Sequence, residues 1–283
     1  MTGQLLFALE VGGAADVATL TRDVAAAEAA GFVLVTIADS PLPPDGGPPR
    51  IEAGVRAAYL SRRTSRIGLA PTLHATVTEP FHLATQLASL DHASLGRAAW
   101  VVGAEHSADA YATVGEPVLT GDDLRRELED VIDVARRLWD SWESDAVIRD
   151  VATGRFLDAD RVHHVNFTGA RFSIVGPLIT PRPPQGRVVV IGADTLGVTS
   201  RLDVALVGLD DVAVRAEKAR AEGAPLVFAD VPEPDPGLLD ELAGVVDGVR
   251  LHTTDVSGLI GSVRPRPTTG ATLRERLGLR QEN

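Results

Sequence analysis

Seven histidines, no cysteine and a few carboxylates at strand-like ends bound the chemistry open to this 283-residue chain. Without cysteine there is no thiolate nucleophile, no disulfide and no zinc–thiolate site. His74 follows an apolar run and could face a cavity as a general acid or base. The competing reading is a solvent-exposed loop histidine. Asp39, Glu105 and His106 fall at strand ends and could form a polar cluster. His163 and His164 are adjacent, so in a strand their rings would point to opposite faces and could not share a metal. His92 ends a helical stretch and reads as a structural group bonding its loop. Arg125 precedes Glu129 by one helical turn, the spacing of an ion pair. In Gly192-Ala193-Asp194-Thr195-Leu196-Gly197, Asp194 would make a good N-cap for a short turn. No Gly-x-Ser-x-Gly elbow marks a serine nucleophile, and no Gly-x-Gly-x-x-Gly follows the first strand. Trp139 and Trp142 share a helix and read as core or interface.

The elements that position these residues alternate. The stretch 66–103 organises the pattern. Ile67 to Ala70 is a buried-type strand, Glu79-Pro80 opens a helix, and Ala98 to Val102 is a second strand. Proline in the first turn costs little, because those N–H groups have no helical partner. Phe81, Leu83, Ala84, Leu87, Ala88 and Leu90 fall on one helical face. This is one right-handed βαβ unit. Before it lie a strand at 5–11, a helix at 16–30, a strand at 32–37, a turn-rich loop at Pro41–Pro49 and a helix at 51–63. After it come a loop at 106–120 and a strong amphipathic helix at 122–142. Residues 150–184 read as an inserted hairpin or long loop, with strand-like pieces at 161–165 and 172–175. Further strands fall at 188–191, 204–207, 226–228 and 248–251, with helices at 212–221 and 237–246 and a short one near 272–277. Only residues 194–203 separate the fifth and sixth strands, too few for a crossover helix. Eight strands, nearly all followed by helices, indicate a single (β/α)8 barrel domain over residues 1–283. The rival is an open doubly wound sheet.

Composition narrows the partners. The 27 basic residues against 39 acidic ones leave a net charge of −12, which argues against non-specific binding to nucleic acid or anionic lipid. No run of 18 apolar residues suggests a membrane span. No basic region precedes the first apolar stretch, so no signal peptide is read and a cytoplasmic location is expected.

Leu90-Asp91-His92-Ala93-Ser94 followed by Gly96-Arg97 resembles a signature of luciferase-like flavin-dependent monooxygenases, nearest the nitrilotriacetate monooxygenase branch. Residues 32–39, Leu138 to Trp142, Phe172 to Leu178, Pro184 to Arg187 and the ending Thr272-Leu273-Arg274-Glu275 with Leu277-Gly278-Leu279 are similar to further segments of that branch. The chain is shorter than typical members, with the missing length around strands five to eight.

The resemblance implies an oxygenase component of a two-component system. It would use O2 and reduced FMN supplied by a separate flavin reductase to oxidise a small organic substrate. A homodimer is expected. The site would lie at the C-terminal ends of the strands. There Asp39 matches a flavin-contacting aspartate; the alternative is a helix or loop cap. Thr72 and Thr76 match the flavin-facing end of strand three, or else bond within a turn. His74 replaces a small hydroxyl residue. Gly103 ends strand four, with Val101 and Ala104 where relatives have Asn and Thr. Gly121 and Arg125 stand where relatives have flavin-touching His and Tyr. Gly192, Ala193, Asp194 and Thr195 match a phosphate-binding turn whose serine is here Asp194. A carboxylate there would repel a phosphate by about 1–4 kcal/mol near 4 Å, unless Arg125 supplies a new ligand. A barrel that has lost the cofactor and serves as a partner or binding protein is the alternative function. A deazaflavin is a third possibility.

Overall fold

The computed structural model describes residues 5–12, 16–42 and 50–280. Residues 43–49 of the expected loop, and the first four residues of the chain, lie outside them. The elements in order are β1 (Leu6–Val11), α1 (Val17–Ala30), β2 (Leu34–Ile37), α2 (Ala53–Ser61), β3 (Gly68–His74), α3 (Pro80–Ser94), β4 (Ala99–Gly103), α4 (Ala108–Val114) and α5 (Gly121–Trp139). After these come β5 (Phe167–Thr168), β6 (Ser173–Ile174), β7 (Val189–Ala193), β8 (Val204–Val207), α6 (Val212–Ala221), β9 (Leu226–Val231), α7 (Pro236–Leu242), β10 (Gly248–His252), α8 (Val256–Ser262) and α9 (Leu273–Arg276).

Eight strands close a parallel barrel in the order β1-β10-β9-β8-β7-β4-β3-β2. The expected (β/α)8 architecture is therefore the observed one, and the open sheet is excluded. Alternation along each strand divides the core in two. Inward residues such as Ala8, Leu34, Ala70, Val101, Ile191 and Phe228 fill the barrel. Outward residues pack against the helices. Leu273 and Leu277 join the inner cluster, so the C-terminal segment plugs the N-terminal end of the barrel. Gly68 opens that entrance: a Cβ there would lie 2.7 Å from the Leu273 side chain.

The signature that ends α3 proves architectural. Asp91 is fully buried and accepts hydrogen bonds from the N–H groups of Ala98 and Gln185 and from the Gln185 amide. It ties the start of β4 to the segment entering β7. Burial pushes its carboxyl up to about 6, against the pull of those donors. Arg97 donates to the carbonyls of Ser61, Thr64, Ile67 and Ser94 and to the Thr64 hydroxyl, which locks α2 to β3 and β4. His92 reaches the Pro181 carbonyl at 3.2 Å, the loop-bonding role read from the sequence.

Several boundaries differ from expectation. The loop 106–120 contains α4, capped by the Ser107 hydroxyl and closed by Gly115 in the left-handed region; its seven residues are too few for a clear period. α5 ends at Trp139, so Trp142 lies beyond it and donates to the Leu178 carbonyl. The inserted hairpin exists, but its two-residue strands are 167–168 and 173–174. His163 and His164 therefore lie outside any strand and bond separately, to Glu143 and to the Gly176 carbonyl. α8 lies between the expected strand at 248–251 and the expected short helix near 272–277, where no helix was read, and α7 stops at Leu242. The 194–203 crossover holds only two single 3-10 turns, as its length demands.

Candidate active site

The C-terminal ends of the strands form an open mouth with two cavities. One, of about 540 Å³, lies beside β2 and β3 and is lined by Asp39, Glu52, Thr72, His74, Thr78 and Thr113. The other, of about 660 Å³, lies beside β1 and β10 and is lined by Glu10, Glu233, His252, Thr253 and Asp255. A larger cavity of about 960 Å³ sits at the opposite end of the barrel, around Leu6, Asp247 and Leu277. Barrel enzymes do their chemistry at the C-terminal face, so size does not select the site.

His74 is the last residue of β3, and its half-buried ring opens into the first cavity. It is not the solvent-exposed loop histidine that was the competing reading. The ring lies flat against Gly103 at the end of β4: a Cβ on Gly103 would come within 2.7 Å of the imidazole. Gly103, expected near a cofactor, is thus the slot that seats His74. The imidazole has no hydrogen-bond partner among the described residues. Burial pushes its pKa below the ordinary histidine value, and the charges of Glu105 and Asp39 oppose this only partly. A neutral imidazole with a free nitrogen can accept a proton or a hydrogen bond.

Thr72, two residues earlier on the same face, lines the same cavity. Thr76 is buried, and its hydroxyl accepts the Glu105 N–H at 3.1 Å, a bond to the loop after β4 rather than within its own turn. Asp39 accepts the N–H of Ala53, the first residue of α2, and pairs with Arg50 at 3.0 Å and Arg56 at 3.8 Å. Its carboxylate is a helix anchor as well as part of the cavity wall. The polar cluster of Asp39, Glu105 and His106 does not form. Glu105 instead accepts the N–H groups of His106 and Ser107, at the entry to α4.

The turn after β7 differs most from its sequence reading. Asp194 makes no capping hydrogen bond. Its carboxylate is gripped from two sides by Arg215, at 2.9 Å to Nε and 2.5 Å to Nη2. The N-cap expectation fails because a bidentate guanidinium outcompetes one turn N–H. The expected repulsion is reduced but not removed: Arg215 pairs with Asp194 and also with Asp210, so the trio keeps one net negative charge. Gly192 is buried against Leu202, Ala193 is half-buried and Thr195 is exposed. Arg125 packs beside Gly197 and bonds Glu129 at 2.9 Å, the helical pairing that the spacing allowed. Gly121 opens α5 with φ +54° and has open space where a side chain would be.

Four charged groups inside the barrel went unread. Arg250 donates twice to Asp230, at 2.8 and 2.7 Å, and reaches Glu10 at 2.9 Å. His252 bridges Asp230 at 2.6 Å and Glu10 at 3.2 Å. Those two carboxylates raise the His252 pKa to about 9, so it is a cation. The network stands on β1, β9 and β10, where the first strand of the chain closes on the last. The signal was present in alternation: Glu10, Asp230 and Arg250 are charges at inward positions of otherwise buried strands.

The comparisons with known proteins agree with this geometry. Residues 5–207 match the luciferase-like monooxygenase family. A pristinamycin IIA synthase component of Streptomyces pristinaespiralis is 34% identical over 95% of this chain and 91% of its own length. Nitrilotriacetate monooxygenase component A of Aminobacter aminovorans is 39% identical, over 48% of this chain and 30% of that protein. The matched part spans about a third of the length of most of the curated relatives. Among solved structures, long-chain alkane monooxygenase superposes with a TM-score of 0.84 at 17% identity, over 98% of this chain and 96% of that one; this likeness shows the fold. The chain belongs to the luciferase-like monooxygenase family.

Proposed function

We propose, from membership of the luciferase-like monooxygenase family, that this chain is the oxygenase component of a two-component, flavin-dependent monooxygenase. It takes reduced flavin from a separate reductase, and O2, and oxidises a small organic substrate. Family-wide likeness supports the reaction class. The single observation that carries the site is the unpartnered, half-buried His74 ring facing a cavity of about 540 Å³ at the mouth. Reduced flavin and O2 supply the oxidising chemistry in this reading.

The chain's own part is derivable. Thr72 offers a hydroxyl to orient a polar substrate group. His74, kept neutral by burial, accepts a proton from the substrate or product at its free ring nitrogen. Gly103 holds the ring in place by leaving room for it. The β7 turn does not fit a phosphate dianion well. Each described guanidinium beside it, Arg215 and Arg125, is already engaged by carboxylates.

The test is turnover. Native protein with a flavin reductase and a panel of small thioethers, amines and carboxylates should consume O2 in step with product. His74→Ala should lower kcat at least tenfold while flavin binding stays within threefold. Equal turnover by the variant would remove His74 from the site.

A second reading has its own support: the chain is a non-catalytic subunit paired with a longer homologous chain. The near full-length similarity to a protein named as one component of a multi-chain synthase favours it. So do the altered mouth residues. Under this reading the isolated chain binds no flavin and oxidises nothing, whereas co-expression with a homologous long chain yields a stable, active pair. A cytoplasmic homodimer accompanies the first reading, and light scattering on the purified chain measures the stoichiometry.

A further inference from the structure

The Arg215 guanidinium takes an unusual route. It starts on the first turn of α6, passes over the end of β8 and lands on Asp194 at the end of β7. Gly208 makes that route possible: a Cβ there would lie 2.7 Å from Arg215 Nη1. Asp210 braces the same guanidinium at 2.9 Å. Both members of the central pair are largely shielded, with side-chain exposures of 21% for Arg215 and 16% for Asp194.

A bidentate guanidinium–carboxylate pair has the geometry of a guanidinium–phosphate pair. Here the anion is part of the protein. We propose that Asp194 is a built-in anion filling the place where a ligand phosphate would otherwise dock, so that the mouth recognises flavin by its ring system and gains nothing from a terminal phosphate. Riboflavin and FMN are then equivalent ligands. The inference rests on the flavin reading above and sharpens it to a ligand preference.

Three features of the turn support this. A phosphate arriving there meets a net negative site, because Asp194 and Asp210 together outweigh the single Arg215 charge. Displacing Asp194 from Arg215 would strand a shielded carboxylate. The turn after β7 is only three residues long, so it brings no helix dipole to offset that cost. Arg125 cannot compensate freely, since Glu129 and Asp122 share it.

The experiment uses the full chain and four proteins: native, Asp194→Ser, Asp194→Ser with Arg215→Ala, and Gly208→Ala. Reduced riboflavin and reduced FMN are titrated anaerobically, and thermal stability is followed in inorganic phosphate against chloride at equal ionic strength. The native protein should bind the two flavins within threefold of each other, and phosphate should not stabilise it. Asp194→Ser frees Arg215, so FMN should tighten at least tenfold with riboflavin unchanged, and phosphate should raise the melting temperature. The double variant should lose both gains. Gly208→Ala crowds the Arg215 Nη1–Asp210 contact without changing any charge, and should not create a phosphate response. Native protein that prefers FMN tenfold over riboflavin would overturn the proposal. So would an Asp194→Ser variant with no phosphate response. If no flavin binds any variant but Asp194→Ser alone responds to phosphate, the built-in anion stands and the flavin reading falls.

Discussion

His74 and Gly103 form a two-residue device, and each half makes sense only through the other. Gly103→Ala places a methyl group within 2.7–3.0 Å of three ring atoms. The imidazole must swing out, because the backbone at β4 is fixed by its ladder with β3. Turnover should fall at least tenfold while the melting temperature changes by no more than a few degrees, and activity assays beside thermal denaturation check both. The pH dependence has a definite sign. Burial lowers the His74 pKa, so the neutral, active form persists below the ordinary histidine value of about 6.5. A kcat profile should stay flat from pH 8 down past 6.5 and fall only in more acidic buffer. A profile already falling at pH 7 would show that another group titrates. The sequence offered His74 as a candidate by residue type, but its seat depends on a glycine far along the chain. Arg215 stayed hidden for the same reason: a guanidinium crossing one strand to reach the next leaves no local pattern. Asp39 shows the converse, since the capping alternative was legible from residue type and the Ala53 contact bears it out.

Among the strands, the seam between β1 and β10 carries the clearest electrostatic consequence. Parallel pairing runs from Leu6 with Gly248 to Glu10 with His252, and the ion network closes its mouth end. The folded state raises the His252 pKa to about 9, above the unfolded value of about 6.5. The stabilisation from that proton is complete below pH 6.5 and is lost as the pH rises through 9. After allowing for partial solvent screening it amounts to on the order of 2 kcal/mol. Denaturant melts at pH 7 and 9.5 should therefore differ by about that much, and His252→Gln should flatten the difference. An unchanged pH slope in the variant would mean that His252 is not the group. Strands with strong apolar runs were legible because most of their residues are buried. Short elements such as α4 and α8 were not, since seven residues give too few turns to show a period. The hairpin at 167–174 slipped because two-residue strands leave almost no alternation to read.

The molecule as a whole is a closed parallel barrel plugged at one end by its own C-terminal segment and open at the other. Strand–helix alternation favoured the barrel over an open sheet, but the Thr-Leu-Arg-Glu ending was legible only as a likeness; its entry into the barrel at Gly68 is seen only in the structure. Arg274, whose guanidinium meets Asp203 at 2.9 Å, helps fix the plug. What the linear pattern could not give was the charge balance at the mouth, because acids and bases from β1, β7, α6, β9 and β10 meet only after closure. No helix among the described residues is long and apolar enough to cross a membrane. The functional reading turns on whether the open end holds reduced flavin beside His74. Anaerobic titration of reduced riboflavin into native protein and into Thr72→Trp, which fills the cavity, decides that point. Micromolar binding to the native chain and at least a hundredfold loss in the variant are expected. No binding to native protein at millimolar flavin, or equal binding to both proteins, would refute flavin binding in this cavity.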